Sequence, residues 1–166
     1  MPATAVNDFL LSLAVAIASA ASLHMKSTTS DATAAALWIG NAIEDKSAAV
    51  YTVLRIYRGN EPGAFSGMRV PDVSIQADTR GEDHLAVLAQ AQAVHEALLE
   101  TDGRPRMHWT IPAKRFNSST DAIEDDPAGS WQIHQVRFTS GPGITGRDEN
   151  GRWMATSNWD QRFERA

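Results

Sequence analysis

The sequence predicts an α/β fold of the α+β kind: one domain over residues 1–166, with a mainly antiparallel or mixed sheet packed against an N-terminal helix and a central helix. Three observations predict it. An apolar stripe recurs at helical spacing near the start, through Val6, Phe9, Leu10, Leu13 and Ile17. Two segments, Asp72 to Thr79 and Arg152 to Phe163, alternate apolar and polar residues as half-buried strands do. Between them lies a segment with the start and stop signals of a helix. A chain of 166 residues, 43% of them hydrophobic, has the length and composition of a single core.

The first helix is expected within residues 1–24. Its rival is a membrane anchor, or a signal segment ending at Ala18-Ser19-Ala20. Asp8 stands where such a segment carries positive charge, and the apolar run from Phe9 to Leu23 falls short of the roughly 20 residues a span needs. After a polar spacer, Ala35 to Ile39 reads as a strand, with helix as its rival. Ala49 to Tyr57 is apolar on both faces and is expected to lie inside the sheet. Asn41 to Ser47 and the glycine-rich Arg58 to Met68 are expected to be loops.

In the strand from Asp72, Val73, Ile75 and Ala77 face the core. Thr79 and Glu82 are spaced as a capping box for the central helix, whose buried face is expected to carry Leu85, Leu88, Ala91, His95 and Leu98. Gly103 and Pro105 end it. Residues 103–130 are expected to form a long charged loop region, with at most a short strand at Met107 to Ile111. Trp131 to Phe138 and Arg152 to Phe163 close the sheet, the second placing Trp153, Ala155 and Trp159 inward, and Asn150-Gly151 turns the chain between them.

The residues disfavour most chemistries. There is no cysteine, which removes thiolate catalysis, disulfides and cysteine-based zinc sites. The net charge is −5 and both halves are acidic, which argues against a binder that neutralises phosphates. Gly141-Pro142-Gly143-Ile144-Thr145-Gly146 spells a dinucleotide fingerprint, but a turn and a strand follow where a helix should begin, so a glycine-rich connection is expected. Gly63 to Gly67 resembles a nucleophile elbow with its serine displaced by one position. His84 and His95 lie eleven apart on one helix, three turns and too far to share a metal, and His24, His108 and His134 stand singly. Neither Asp148-Glu149-Asn150-Gly151 nor the acidic cluster has the spacing of a calcium loop. No metal or cofactor is expected.

Charge itself is patterned. Arg104, Arg106, Lys114 and Arg115 fall in a stretch without acids, and Asp121, Glu124, Asp125 and Asp126 crowd together just after it. Most such runs are solvated loop faces; the alternatives are complementary surfaces of neighbouring subunits, the two blocks staying apart within one chain, and, third, a nucleic-acid contact with Trp109 and Phe116 nearby.

Two stretches resemble a known family. The run from Val70 through Asp72 and Thr79-Arg80-Gly81 into the helix ending near Glu100 is similar to the strand, Thr-Arg-Gly turn and helix of tail terminator and minor capsid (neck-ring) proteins of long-tailed bacteriophages and related tail-like particles. Gly141 to Trp153, followed by Ser157-Asn158, resembles the Gly-x-Asp-Glu-x-Gly-Arg turn and last strand of those proteins. Trp38-Ile39-Gly40 and Arg58-Gly59-Asn60-Glu61-Pro62 fit the early strands more loosely, so the likeness covers residues 36 to 163.

The resemblance implies a structural virion protein of the tail or neck, assembled in the host cytoplasm. It implies a homo-oligomeric ring, a hexamer, that caps the tail tube protein, ends its polymerisation and meets the head-completion or stopper protein. No catalytic residue, no sequence-specific nucleic acid and no membrane enter that picture. The alternatives are another head-tail connector ring protein, a small hydrolase around His108, His134 and the acidic cluster, and a protein-binding module outside any virus.

Overall fold

A computed structural model of the chain describes residues 3–28, 30–40, 48–60 and 72–166. The expected loop at Asn41 to Ser47, most of that at Arg58 to Met68 including the Gly63 to Gly67 segment, and the Val70 and Pro71 positions lie outside the described residues, as does the Val6 side chain. The elements run α1 (Ala3–Ala20), β1 (Leu37–Ile39), β2 (Val50–Asn60), β3 (Asp72–Gly81), α2 (His84–Glu96), β4 (Met107–Asn117), β5 (Ala122–Arg147) and β6 (Trp153–Arg165).

The fold is α+β with a mixed sheet. Among the described residues six strands lie in the order β1-β2-β3-β6-β5-β4. Only β1 and β2 are parallel; every other neighbouring pair is antiparallel. The last strand in sequence is therefore central in space. Its alternation is strict, with Ala155, Ser157, Trp159, Gln161 and Phe163 buried and the residues between them partly open. Val73, Ile75 and Ala77 of β3 are buried on the same side, as expected. The interior place of β2 is borne out too, since Tyr51, Thr52, Val53 and Leu54 are all buried between β1 and β3.

Phe9, Leu10, Leu13 and Ile17 of α1 are buried in the main cluster with Leu54, Ile75, Trp159 and Phe163. Phe9 stacks on Phe163 at 3.5 Å between ring centres, and Trp131 meets both rings edge-on at 5.6 Å. One polar residue of the helix is buried with them. Ser12 Oγ accepts from the backbone N–H of Lys114 (2.8 Å) and from Trp131 Nε1 (3.2 Å), and donates to the Asp8 carbonyl (2.7 Å). The helix ends at Ala20, three residues before the end of its apolar run at Leu23. Ser22 takes φ 54°, and Leu23 N–H returns to the Ala18 carbonyl, a hydrogen bond that satisfies a helix-end acceptor. No described helix is long and apolar enough to cross a membrane.

Three expectations about α2 are corrected. It ends at Glu96 with Ala97 as its C-cap, not at Gly103 and Pro105, because the chain there turns back to pair Leu99 with Pro105. Its N-cap is Asp83, whose carboxylate accepts from the N–H groups of Leu85 and Ala86, while Thr79 is buried in β3 with its hydroxyl 2.8 Å from that of Thr52. The buried face carries Val87, Ala91 and Val94, with Ala97 and Leu98 just beyond; Leu85 is 65% exposed and Leu88 37%. Both readings fit a helical period, and they differ by a rotation that period alone does not set. We expect Val87→Ala to cost about 2 kcal/mol, from two lost methyl groups plus the cavity they leave. Leu85→Ala should move stability by no more than about 0.5 kcal/mol. Urea melts of the two variants check this; a larger loss at Leu85 would restore the expected face.

Residues 103–130 are not a long loop. They contain all of β4 and the start of β5, a hairpin that closes through a turn at 118–121. The glycine-rich stretch 141–146 is likewise inside β5, pairing with β6 through Gly143↔Thr156 and Gly146↔Met154 across several register shifts. Bulges let one strand bend along its length, and glycine favours them.

Candidate functional site

The hairpin explains where the charge blocks go. Its register sets Lys114 opposite Asp125 and Arg115 opposite Glu124. Lys114 Nζ pairs with the Asp125 carboxylate, and Arg115 Nη2 lies 3.9 Å from Glu124 Oε2. Glu124 also accepts from Asn117 Nδ2 (2.9 Å) and the Thr120 hydroxyl (2.8 Å), and these two donors pull its pKa below the ordinary value. Asp126 is met by Arg165 at 2.5 Å, and Arg104 by Asp102 at the same distance. Asp121 stands at the turn with φ 53°.

Two members of each block thus meet within one chain, Lys114 with Asp125 and Arg115 with Glu124, whereas Arg104 and Asp126 find partners outside the blocks. The sequence carries a signal for these two pairs: 114 with 125 and 115 with 124 lie symmetrically about the polar turn Ser118-Ser119-Thr120. Arg106 is different. Its Nε donates to the Ala97 carbonyl at 3.0 Å, its guanidinium carbon sits 4.7 Å from the Trp109 ring centre, and no carboxylate pairs with it among the described residues.

Apolar surface accompanies this hairpin. Phe116, beside the turn, is exposed at the rim of a cleft of about 340 Å³ lined by Leu11, Trp38, Ile39 and Ile123. At the other end of the hairpin His108, with φ 52°, lies edge-on to His134 at 6.2 Å between ring centres, and His134 Nε2 is 3.0 Å from Glu164. The acidic cluster is eight residues back along β5 from His134, about 25 Å of extended strand. The three parts of the hydrolase alternative are therefore not assembled. His84 packs against Trp153 and His95 against Phe138, where burial lowers the His95 pKa. Among the described residues no group of three or more His, Asp or Glu is placed to hold a metal ion.

A second constellation joins β3 to the turn after β5. The antiparallel register sets Gly81 opposite Trp153 and Arg80 opposite Met154. Asp148 accepts from the backbone N–H groups of Asn150 and Arg152 at 3.0 Å and from Arg152 Nη2 at 2.9 Å, and Arg80 Nη1 lies 3.8 Å away. Arg152 in turn lies over the Tyr51 ring at 5.5 Å. In the sequence, Asp148-Glu149-Asn150-Gly151 reads as a tight turn. The structure makes it a tie between both halves of the sheet.

Burial alone raises the Asp148 pKa, but the Arg152 and Asn150 donors outweigh it, and the carboxyl titrates below its ordinary value. A pKa lower in the folded state than in the unfolded chain adds stability that is complete above the unfolded value. It is lost as pH falls through the folded one. We expect wild type to lose stability below about pH 4, and Asp148→Asn to lower stability at neutral pH while flattening that acid slope. Melts from pH 2 to 7 check it; an unchanged acid slope in the variant would remove Asp148 from the account.

No protein-family model matches this chain, and no curated protein matches it.

Proposed function

We propose that this chain is the tail terminator of a long-tailed bacteriophage or a related tail-like particle: a structural subunit of a hexameric ring that caps the tail tube, ends its growth and presents the surface joined by the head-completion protein. One observation carries the reading. The two stretches whose sequences resemble that family come together, Thr79-Arg80-Gly81 of β3 lying alongside the start of β6, with Asp148 held between Arg80 and Arg152.

In this reading the corner is a structural tie rather than a reacting centre. It fixes the entry of α2 against the β5–β6 turn, so that surfaces built on both keep one relative position. The work is done by interfaces with like subunits, the tube protein and the stopper protein, in the virion and not at a membrane. An acidic subunit, with net charge −5, lines a DNA passage without holding the DNA.

The test is electron microscopy of the purified chain, alone and with tail tubes. Closed rings that bind tube ends and stop elongation support the reading. A protein that remains monomeric over a wide concentration range and leaves tube growth unchanged overturns it.

A further inference from the structure

We propose that this chain pairs with a second copy of itself about a two-fold axis, at the seam between β1 and the tip of the β4–β5 hairpin. Phe116 of each copy enters the apolar cleft of the other, and Lys26 of each meets Asp121 of the other. The contact goes beyond the ring reading and does not rest on it, since a ring is built from heterologous contacts and this one closes at two copies.

The cleft, of about 340 Å³, is walled by Leu11 of α1, Met25 of the segment between α1 and β1, Trp38 and Ile39 of β1, and Ile123 of β5. Leu11 is buried, and the other four are half-buried. The Trp38 indole N–H donates to the Ala35 carbonyl at 3.1 Å, so this wall asks no hydrogen bond of an occupant. Phe116 lies opposite Ile123 in the hairpin register and shares its face, yet it stands 57% exposed at the rim. Aromatic residues and methionine are the types enriched where proteins meet.

Two charges complete the rim. Lys26 and Asp121 both line the cleft, and neither forms an ion pair among the described residues. The bridge between Thr28 and Ala122 sets their spacing: Lys26 lies two residues to one side of it and Asp121 one residue to the other, about 10 Å along extended chain. The hairpin charges nearby are already matched, Lys114 with Asp125 and Arg115 with Glu124. One unpaired cation and one unpaired anion therefore flank the apolar cleft.

A surface that carries one knob and one hole, one cation and one anion, complements itself after half a turn. Phe116 then fills a cleft twice, and Lys26 meets Asp121 twice, so a second copy satisfies every group on the patch. Burial of the two phenyl rings supplies the attraction, and the two ion pairs set the register.

Sedimentation of the full chain over a range of concentration, at low and high salt, reads the contact, with negative-stain images of the same samples. Phe116→Ser, at an exposed position, should abolish pairing while its melting curve stays near wild type. Lys26→Gln and Asp121→Asn each remove two symmetry-related ion pairs and should weaken association about tenfold. The variant carrying both should be no weaker than either alone, because the two side chains act on each other. A wild type that stays monomeric, assembly of any size that is unchanged by Phe116→Ser, or losses that add in the double variant overturn this contact. Closed rings on tube ends in those samples would then leave the ring reading standing. Dimers that respond as expected support the contact, and if the same chain leaves tube growth unchanged it is the ring reading that falls.

Discussion

Trp131→Ala is expected to cost about 3–5 kcal/mol, a fall in melting temperature on the order of 10 °C for a chain of this length. The indole is buried, meets Phe9 and Phe163 edge-on, carries Arg165 on its face at 4.6 Å and donates through Nε1 to Ser12. Truncation removes a large apolar volume from the seam between α1 and the sheet and takes one donor from a buried hydroxyl. Trp131→Phe separates the two contributions. It keeps most of the ring contact and loses the hydrogen bond, so it should cost about 1–2 kcal/mol. Denaturant melts of both variants decide the matter. A loss below about 1 kcal/mol for the alanine variant would mean that α1 is not held at this seam.

Gly81→Val is expected to destabilise the fold by about 3 kcal/mol or more, from overpacking rather than from backbone conformation. A β-carbon at Gly81 would stand 2.8 Å from the Ala49 carbonyl oxygen, 2.9 Å from Val50 Cγ2 and 3.0 Å from Val87 Cγ2. The nearest of these is backbone and cannot swing aside. The helix α2 therefore approaches β3 at this point because no side chain stands between them. Gly141→Ala is the control, since a β-carbon there meets nothing within 4 Å. It should leave the melting temperature unchanged or slightly raised. Equal losses at both positions would show that the effect is not one of space.

The contrast between these glycines illustrates what a sequence conveys. Gly81 stands in a stretch that reads as a turn, and nothing in the letters says that Ala49 and Val87 crowd it. The same holds for Ser12, which on a helical wheel is one more small residue beside the apolar stripe. Only the fold brings it to the Lys114 amide and the Trp131 indole, more than a hundred residues away. The charge blocks repeat the lesson. Their existence was legible; their pairing depended on whether residues 118–121 turn the chain back on itself, and a polar run of that length serves equally in a loop.

Local periodicity by itself determined the α+β class, the helix at the start, the inward residues of β3 and β6 and the interior character of β2. In each case the signal is a contrast between faces set by backbone geometry, which repeats every 2 or 3.6 residues whatever the neighbours are. Periodicity gave α2 its existence and not its rotation, because Leu85 and Val87 both lie on acceptable apolar faces, and what chose between them was the shape of the sheet it covers. The tertiary structure alone decided the order β1-β2-β3-β6-β5-β4, the continuation of β5 through its glycines and the meeting of Arg80 with Asp148. Those depend on pairings between residues distant in sequence, whose free energy comes from burial and hydrogen bonds that exist only once the partner strand has arrived.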